Sequence, residues 1–293
     1  MRSVQIKDIK LYFLDMKNYT ILCPTDFSEC ALNAIEYAAR LGEKLGAELT
    51  LFHVPDKEDY QKLFPTKVVE DSLDAAKNKL TNLVKAVQEE SLGKGLASCN
   101  FLIKEGKTVK TIIDYSEENN IDLIIMGTEG INEFKNNYIG TKSSNVVLES
   151  SCDVFIIPRK VFFKPPRKLV YATDYLEEDK LAIQKIVKIA KCYDAEIDIV
   201  HVSSKSNIID KAQHQSLKEE LAPFAKYDKI NYVLKSYRDD AALGLENYLI
   251  TSKGNILFTL SKKKTWFEKL FTNNLSKKMS YFINKPLYVI KNL

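Results

Sequence analysis

The sequence has 293 residues, of which 45% are hydrophobic and 28% are charged, with only 10 glycines and 8 prolines. This composition excludes disordered, collagen-like and low-complexity proteins, and the length suits one large or two ordinary domains. With 43 basic and 39 acidic residues, no long apolar run and no cleavable apolar N-terminal segment, the sequence predicts a soluble, cytoplasmic protein without an integral membrane segment.

Strands and helices alternate along the first half of the sequence. Tyr19–Pro24 is a short apolar run, and the apolar residues that follow Ser28 recur at helical spacing, so a strand is predicted to lead into a capped helix. Ile121–Met126 is almost entirely apolar, which is typical of a central parallel strand covered on both faces. The remaining predicted elements are strands at Glu48–Val54, Ser98–Ile103 and Val154–Ile157 and helices at Val68–Leu92, Val109–Glu118 and Thr141–Ser150.

This alternation predicts a doubly wound parallel sheet with right-handed crossovers. In such sheets, ligands bind beyond the carboxyl ends of the strands. The loops after Pro24, Val54 and Met126 are therefore the candidate ligand edge, although the fold alone leaves open whether they only connect elements.

The second half of the sequence repeats the first. An offset of 148 residues places Thr20–Phe27 on Lys168–Tyr175 and Ala47–Val54 on Ala195–Val202. A period this long indicates two tandem domains, because solenoid repeats run to only about 20–50 residues. Strands are expected in the second copy at Lys168–Ala172, Glu196–Val202, Lys229–Leu234, Asn255–Thr259 and Leu287–Ile290.

The repeat also sets the expected domain boundaries. Near the end of the chain the offset falls to 133, where Cys152–Ile157 matches Lys285–Ile290. Pro165 and Pro166 favour an extended hinge between the copies. The predicted organisation is a variable N-terminal tail over residues 1–17, one domain over 18–160 and a second over 161–293.

The two copies differ in charge and in glycine content. Residues 1–160 contain 20 basic and 24 acidic side chains, whereas residues 161–293 contain 23 and 15. Eight of the ten glycines lie in the first of these segments. The copies are therefore expected to differ in their function.

A glycine-rich segment follows the fourth predicted strand. Glycine allows positive φ and a close approach to a ligand, while the free N–H groups of a first helical turn attract anions. The pattern favours a phosphate site over a plain strand exit, and it is neither a P-loop nor a dinucleotide fingerprint. Its glycines are Gly127, Gly130 and Gly140, and the helix that follows opens with Thr141, Lys142, Ser143 and Ser144.

These residues resemble the universal stress protein family in its tandem two-domain form. The family pattern G-x2-G-x9-G-[ST] fits the glycine segment without a gap, Pro24–Ser28 fits the first-strand signature P-x-D-x-S, and His53-Val54 fits the second-strand ending. The resemblance is specific from Tyr19 to Pro158 and weaker from Lys168 to Ile290. It implies an α/β fold of two tandem doubly wound parallel-sheet domains, of the adenine nucleotide alpha hydrolase-like type, in a pseudo-symmetric pair.

The resemblance also implies that the first domain binds an adenine nucleotide, ATP or AMP or ADP, and leaves open whether Mg²⁺ accompanies it. The glycine-loop amides and hydroxyls would surround the phosphates, Asp26 would lie near the ribose and adenine, and backbone groups around Val54 would recognise the base. Lys142 departs from the family pattern, in which an apolar residue is common. The expected nucleotide-binding residues are Pro24, Thr25, Asp26, His53, Val54, Met126, Gly127, Thr128, Gly130, Gly140, Thr141, Lys142, Ser143 and Ser144.

The second copy departs much further from this pattern. Bulky side chains at the former glycine positions would fill the space that phosphates need and remove the permissive backbone. The second domain is therefore predicted not to bind ATP in the family's manner. The substituted positions are Leu260, Lys263 and Asn273, with Asn274 in the place of Thr141.

The family resemblance further implies that the last strands of the two domains pair within the chain. These strands are Val154–Ile157 and Leu287–Ile290. Both are apolar, and pairing would cover edges that otherwise invite aggregation.

Histidines and cysteines give weaker signals. His53 and His201 occupy equivalent strand ends without the spacing of zinc ligands and are interpreted as structural, and His214 lies in a polar segment expected in solvent. No catalytic residue is indicated, because no nucleophile elbow is present. The cysteines are odd in number and form no C-x-x-C pair, so most are expected to be buried, without a disulfide or metal site: Cys23, Cys30, Cys99, Cys152 and Cys192.

Ser261–Thr272 replaces the glycine loop in the second copy. It combines three consecutive lysines with aromatic residues, among them Trp266, the only tryptophan. Such a segment can contact an anionic membrane surface, nucleic acid or a protein partner. The favoured interpretation is a loop whose aromatic side chains pack on the sheet, which makes nucleic acid a disfavoured partner.

Three functions follow from the sequence. The first is a stress-response regulator that binds an adenine nucleotide in its N-terminal domain, with the C-terminal domain as a pseudo-symmetric partner. The second is a slow ATPase or phosphotransfer enzyme, capable at most of weak hydrolysis or autophosphorylation, with Glu129 and Glu133 near the phosphates. The third is a ligand-free adaptor that acts through the basic-aromatic loop. A homodimer and an unidentified protein partner are left open.

Overall fold

The computed structural model describes residues 19–55, 69–128, 141–203, 208–237, 241–261 and 285–291. Within these ranges, ten strands form a single sheet and seven α-helices pack against it. The strands are β1 (Thr20–Pro24), β2 (Glu48–His53), β3 (Ser98–Ile103), β4 (Leu123–Thr128), β5 (Asp153–Pro158), β6 (Lys168–Ala172), β7 (Glu196–Ser203), β8 (Ile230–Ser236), β9 (Ile256–Leu260) and β10 (Leu287–Ile290). The helices are α1 (Glu29–Leu45), α2 (Val69–Ser91), α3 (Thr108–Glu118), α4 (Thr141–Glu149), α5 (Asp179–Tyr193), α6 (Ile208–Leu221) and α7 (Ala241–Thr251).

The strand order confirms the predicted fold class. It runs β3-β2-β1-β4-β5-β10-β9-β6-β7-β8, and every neighbouring pair is parallel except β5 with β10. Each half, taken from its own first strand, therefore has the doubly wound order 3-2-1-4-5. The first half is the part of the chain up to the end of β5, and the second half begins at β6.

Strands β5 and β10 join the two halves, as the sequence predicted. They run antiparallel, with Tyr288 opposite Phe155, and the two rings lie 5.4 Å apart between centroids. The repeat offset of 133 makes these two residues equivalent. A pseudo-two-fold axis therefore passes between Phe155 and Tyr288.

The first helix shows how local sequence sets an element. The Ser28 hydroxyl accepts a hydrogen bond from the Ala31 N–H at 3.3 Å, which caps the free amides of the first turn. Gly46 ends the helix with φ 64, a left-handed conformation that costs glycine little. Between these caps, a stripe of alanine, isoleucine and leucine side chains is buried against the sheet.

The core lies in two apolar layers, one on each face of the sheet. One layer contains buried side chains of α1, α2, α5 and α6, and the other contains those of α3, α4 and α7. Both layers include residues from both halves, so apolar packing is continuous across the junction.

Two further features concern the helices and the cysteines of the described residues. None of their helices is long and apolar enough to cross a membrane. Four of the cysteines are buried, which confirms the expectation for most of them, and Cys192 is half-buried; all five are free thiols.

Candidate functional site

The candidate site lies where the strand order of the first half reverses. Strands β1 and β4 are neighbours in the sheet, although β2 and β3 separate them in the chain. Ligands of doubly wound proteins bind outside the carboxyl ends of strands at such a switch point. The structure places the predicted residues of β1, β2 and β4 at this edge, together with the N-terminal turn of α4.

A tight turn connects β1 to α1. The Thr25 N–H extends the ladder by donating to the Phe52 carbonyl at 2.8 Å, and the buried Thr25 hydroxyl accepts from the Phe27 N–H at 3.1 Å. Asp26 is exposed, and its carboxylate accepts from the Ser28 N–H at 3.0 Å. Phe27 has φ 65, a strained conformation for a residue with a side chain.

His53, at the end of β2, is 4% exposed. Its Nδ1 lies 2.8 Å from the Thr25 carbonyl oxygen, an acceptor only, so Nδ1 carries the proton. Burial lowers the pKa of His53 below its usual value, Lys79 adds to this, and the Thr25 hydrogen bond and Asp26 oppose it. Nε2 is thus an unprotonated acceptor, and it has no partner within the described residues.

Packing against α1, rather than a turn, requires glycine at position 127. Strand β4 extends two residues beyond the predicted Ile121–Met126 strand, so that Gly127 pairs with Ile157 inside the sheet. A Cβ atom on Gly127 would lie 2.4 Å from the Cys30 carbonyl oxygen in α1. Its φ is not positive, since the described glycines with positive φ are Gly46, Gly95 and Gly106. A close approach of α1, and not a positive φ, is therefore what requires glycine at this position.

The N-terminal turn of α4 lies beside the end of β4. The buried Ser143 hydroxyl donates to the Gly127 carbonyl at 3.0 Å, which ties the helix to the strand. Ser144 is 3% exposed, and its hydroxyl has no hydrogen-bond partner in the described part of the chain. Lys142 is exposed. Gly130, Gly140 and the side chain of Thr141 fall outside the described residues.

The remaining predicted site residues lie within or directly after the strands that end at this edge. Pro24 and Met126 are buried within their strands, and Thr128 is buried at the last position of β4. The His53 carbonyl accepts from the Lys104 N–H at 3.1 Å, so Val54 is the first residue beyond the ladder between β2 and β3.

The second half repeats the turn after its first strand. His201 Nδ1 lies 2.8 Å from the Thr173 carbonyl oxygen, and the Tyr175 N–H donates to the Thr173 hydroxyl at 2.9 Å. Tyr175 has φ 60 and stacks on His201 with centroids 4.1 Å apart. His214, expected in solvent, is instead half-buried with Nδ1 3.5 Å from the Tyr175 hydroxyl, and burial lowers its pKa.

The second half differs at the next position along its edge. Leu260, buried in β9, stands where β4 has Gly127.

Helix α5 begins at Asp179, two residues after the position equivalent to the start of α1. The buried Asp179 carboxylate accepts from the hydroxyls of Tyr171 and Thr173, and burial raises its pKa. The network was not predicted, although its residues are close in the chain, because the sequence does not show that these side chains are buried together. Lys263, Asn273 and Asn274 are outside the described residues.

The two doubly wound halves, each with an edge at a reversal of strand order, define a tandem α/β protein. A model of the universal stress protein family matches residues 18–158. Universal stress protein MJ0577 of Methanocaldococcus jannaschii is 31% identical over 154 residues, which cover 48% of this chain and 94% of that protein. The chain therefore belongs to the universal stress protein family.

Two further comparisons bear on the extent of this likeness. Universal stress protein Sll1388 of Synechocystis is 24% identical over 152 residues, or 47% of this chain and 96% of that protein. The crystal structure of a universal stress protein from Archaeoglobus fulgidus is 21% identical with a TM-score of 0.70, and covers 94% of this chain and 98% of that one. The fold of both halves is therefore similar to that of a solved universal stress protein.

Proposed function

We propose that this stress-response protein binds one adenine nucleotide, ATP or a close relative, at the carboxyl edge of its first half. The observation that carries the proposal is a pair of buried polar atoms, His53 Nε2 and Ser144 Oγ, that have no partner among the described residues. Leaving such an atom unpaired costs roughly 1–3 kcal/mol. Two of them at one ligand edge are supplied with a partner if a nucleotide binds there.

The end of β2 supplies groups suited to the base and ribose. His53 Nε2 is a neutral acceptor, which fits a ligand N–H or hydroxyl donor such as the adenine amino group. Asp26 is an exposed carboxylate beside it and can accept from a ribose hydroxyl. Val54, just beyond the ladder, is placed to offer backbone groups to the edge of the base.

The N-terminal turn of α4 supplies groups suited to the phosphates. Its free amides and the helix dipole favour an anion. The Ser144 hydroxyl adds a donor, and Lys142 adds a positive charge on the solvent side. Within the described residues, no group of three or more acidic, histidine or cysteine side chains could hold a metal ion. A Mg²⁺ ion that accompanied the nucleotide would be held mainly by the phosphates.

The second half is proposed to lack this function. Leu260 places a side chain at the Gly127 position, and the Asp179 carboxylate lies in the first turn of α5. Both features disfavour a phosphate, the first by volume and the second by charge whenever Asp179 is ionised.

The enzyme and adaptor alternatives receive no support from the described residues. Glu129 and Glu133, which a hydrolase would need near the phosphates, lie outside them, as do residues 262–272 of the basic-aromatic loop. The domain boundaries, a homodimer and a protein partner stay predictions from the sequence.

Calorimetric titration of the full chain with ATP tests the proposal. The Ser144→Ala variant should bind ATP about tenfold more weakly, because a charge-assisted hydrogen bond of roughly 1.5 kcal/mol is lost. Its free form should be as stable as the parent or more so, since an unpaired buried hydroxyl is removed. Ser252→Ala is the matched control, because Ser252 in the second half also has a buried hydroxyl without a partner in the described residues.

ADP, AMP and cAMP titrated in parallel would show which phosphates the α4 turn contacts. Equal affinity of Ser144→Ala and the parent for ATP would remove the helix from the site. No heat and no thermal shift with any adenine nucleotide would overturn the proposal as a whole.

A further inference from the structure

A cavity of about 350 Å³ lies at the junction of the two halves, away from the β1, β2 and β4 edge. Helices α1 and α5, the strands next to the pseudo-two-fold axis and the segment linking β5 to β6 form its walls. Seven of the side chains that line it are aromatic. Its volume lies within the range of about 300–1,000 Å³ that is usual for small-molecule sites.

The aromatic wall is held in a defined geometry. Phe163 packs edge-on against Tyr37, with centroids 5.2 Å apart and an interplanar angle of 81°, and lies 6.5 Å from Tyr193. The Tyr37 hydroxyl donates to the Phe162 carbonyl at 3.2 Å, and the Asn33 amide donates to the Val161 carbonyl at 2.8 Å. These bonds fix the linking segment, while the Phe162 side chain stays 72% exposed.

The charged side chains of the cavity are all positive. Lys160, Lys164 and Lys285 line it, and no aspartate or glutamate does so among the described residues. Lys164 and Lys285 form no ion pair with any residue that the structure describes. The lining is therefore complementary to a flat apolar group that carries a negative charge.

A second cavity of about 220 Å³ lies on the other side of the pseudo-two-fold axis, and its charged side chains differ from those of the first. The repeat offsets relate Tyr37 to Lys185 and Pro286 to Asp153. Lys185 Nζ lies 2.9 and 3.0 Å from the carboxylate oxygens of Asp153, which is 2% exposed. In the second cavity Asp153 thus neutralises Lys185, whereas the first has Tyr37 and Pro286 at the equivalent positions and is lined by lysines but by no carboxylate of the described residues.

We propose that the 350 Å³ junction cavity binds a small planar aromatic anion, such as an aromatic carboxylate. The ring would pack among Tyr37, Phe163 and Tyr193, in the offset or edge-on arrangements that aromatic pairs prefer. The carboxylate would lie toward Lys164 and Lys285, which gives a charge-assisted contact. This inference is independent of the proposed nucleotide site, because the two share no residue.

Equilibrium dialysis of the full chain with 2-naphthoate tests this inference. We expect one naphthoate per chain, with 2-naphthamide and decanoate each bound at least about tenfold more weakly, since one lacks the charge and the other the ring. The double variant Lys164→Gln/Lys285→Gln should bind naphthoate at least about fivefold more weakly at unchanged thermal stability. Lys188→Gln, which alters a lysine of the 220 Å³ cavity, is the matched control and should bind like the parent.

A second variant tests the aromatic wall separately. Phe163→Leu keeps an apolar side chain but removes the ring, and should weaken naphthoate more than decanoate. Absence of naphthoate binding at millimolar concentration, equal binding by the double lysine variant, or tighter binding of decanoate than of naphthoate would each overturn the inference.

Discussion

The two halves of the sheet share one turn and differ in the residues around it. In both, a histidine Nδ1 lies 2.8 Å from a threonine carbonyl oxygen, and an aromatic residue with positive φ packs on the histidine ring. Only the first half has a glycine at the end of its fourth strand. The turn is therefore part of the scaffold, and its presence alone does not indicate a ligand site.

The junction shows the same kind of divergence. The two cavities beside the pseudo-two-fold axis are related by the repeat, yet one contains an ion pair with a buried carboxylate and the other aromatic rings with lysines. A duplicated fold keeps its strand register because the core requires it, whereas positions lining a cavity are free to acquire different chemistry.

The largest expected effect concerns the close approach of α1 to β4. Gly127→Ala should lower the free energy of unfolding by about 2–3 kcal/mol, because the new Cβ would meet the Cys30 carbonyl and the backbone would have to move. Urea denaturation measures this loss. Gly93→Ala is the control, since a Cβ there meets nothing within 4 Å, and it should be neutral or slightly stabilising. Similar results for both variants would mean that α1 does not press on Gly127.

The next effect concerns the ion pair in the 220 Å³ cavity. Asp153 accepts hydrogen bonds from the Tyr288 hydroxyl at 3.1 Å and the Lys291 N–H at 2.9 Å, besides contacting Lys185. Asp153→Asn should cost about 2 kcal/mol of unfolding free energy, because it presents a donor to buried donors.

Lys185→Gln is the comparison for that substitution. The lysine side chain is 37% exposed, so its loss should cost less than about 1 kcal/mol. If chemical denaturation gave the two variants equal losses, Asp153 would not organise the junction in the way its contacts indicate.

A smaller effect concerns pH. The pKa of His53 is lowered in the folded protein, chiefly by burial, so the unfolded chain binds the proton more readily. The stability that neutral His53 contributes is complete above about pH 6.5 and is lost as the pH falls below that value. The stability gap between the parent and His53→Asn should therefore narrow from pH 8 to pH 5.5.

The buried apolar truncation Ile21→Val provides the control for this pH series, because it changes no titratable group. Its gap to the parent should stay constant. The pKa of His214 is also lowered by burial, so the difference in stability between the parent and His214→Asn should likewise become smaller from pH 8 to pH 5.5. A gap for His53→Asn that widened on acidification would contradict the lowered pKa.

Much of the fold was predictable from the sequence, because periodicity and the internal repeat depend on local pattern. Strands β3, β6 and β10 were predicted to the residue and the other strands to within two, and the Ser28 cap and the pairing of β5 with β10 were also confirmed. The role of Gly127 was not predictable, since it depends on how closely α1 crosses β4. The junction cavity depends on contacts between distant segments, which no local pattern encodes. The Asp179 network is local in sequence, but it depends on the burial of a carboxylate against two hydroxyls, which residue types and spacing do not show.

The number of nucleotides bound per chain tests the central claim most directly. Equilibrium dialysis with labelled ATP should give one molecule per chain for the parent and none for Gly140→Val, whose side chain would occupy the proposed phosphate loop. Two molecules per chain would show that the second half has kept a site, and one molecule retained by Gly140→Val would place the nucleotide elsewhere. Either result would contradict the account of one intact and one lost site on a duplicated fold.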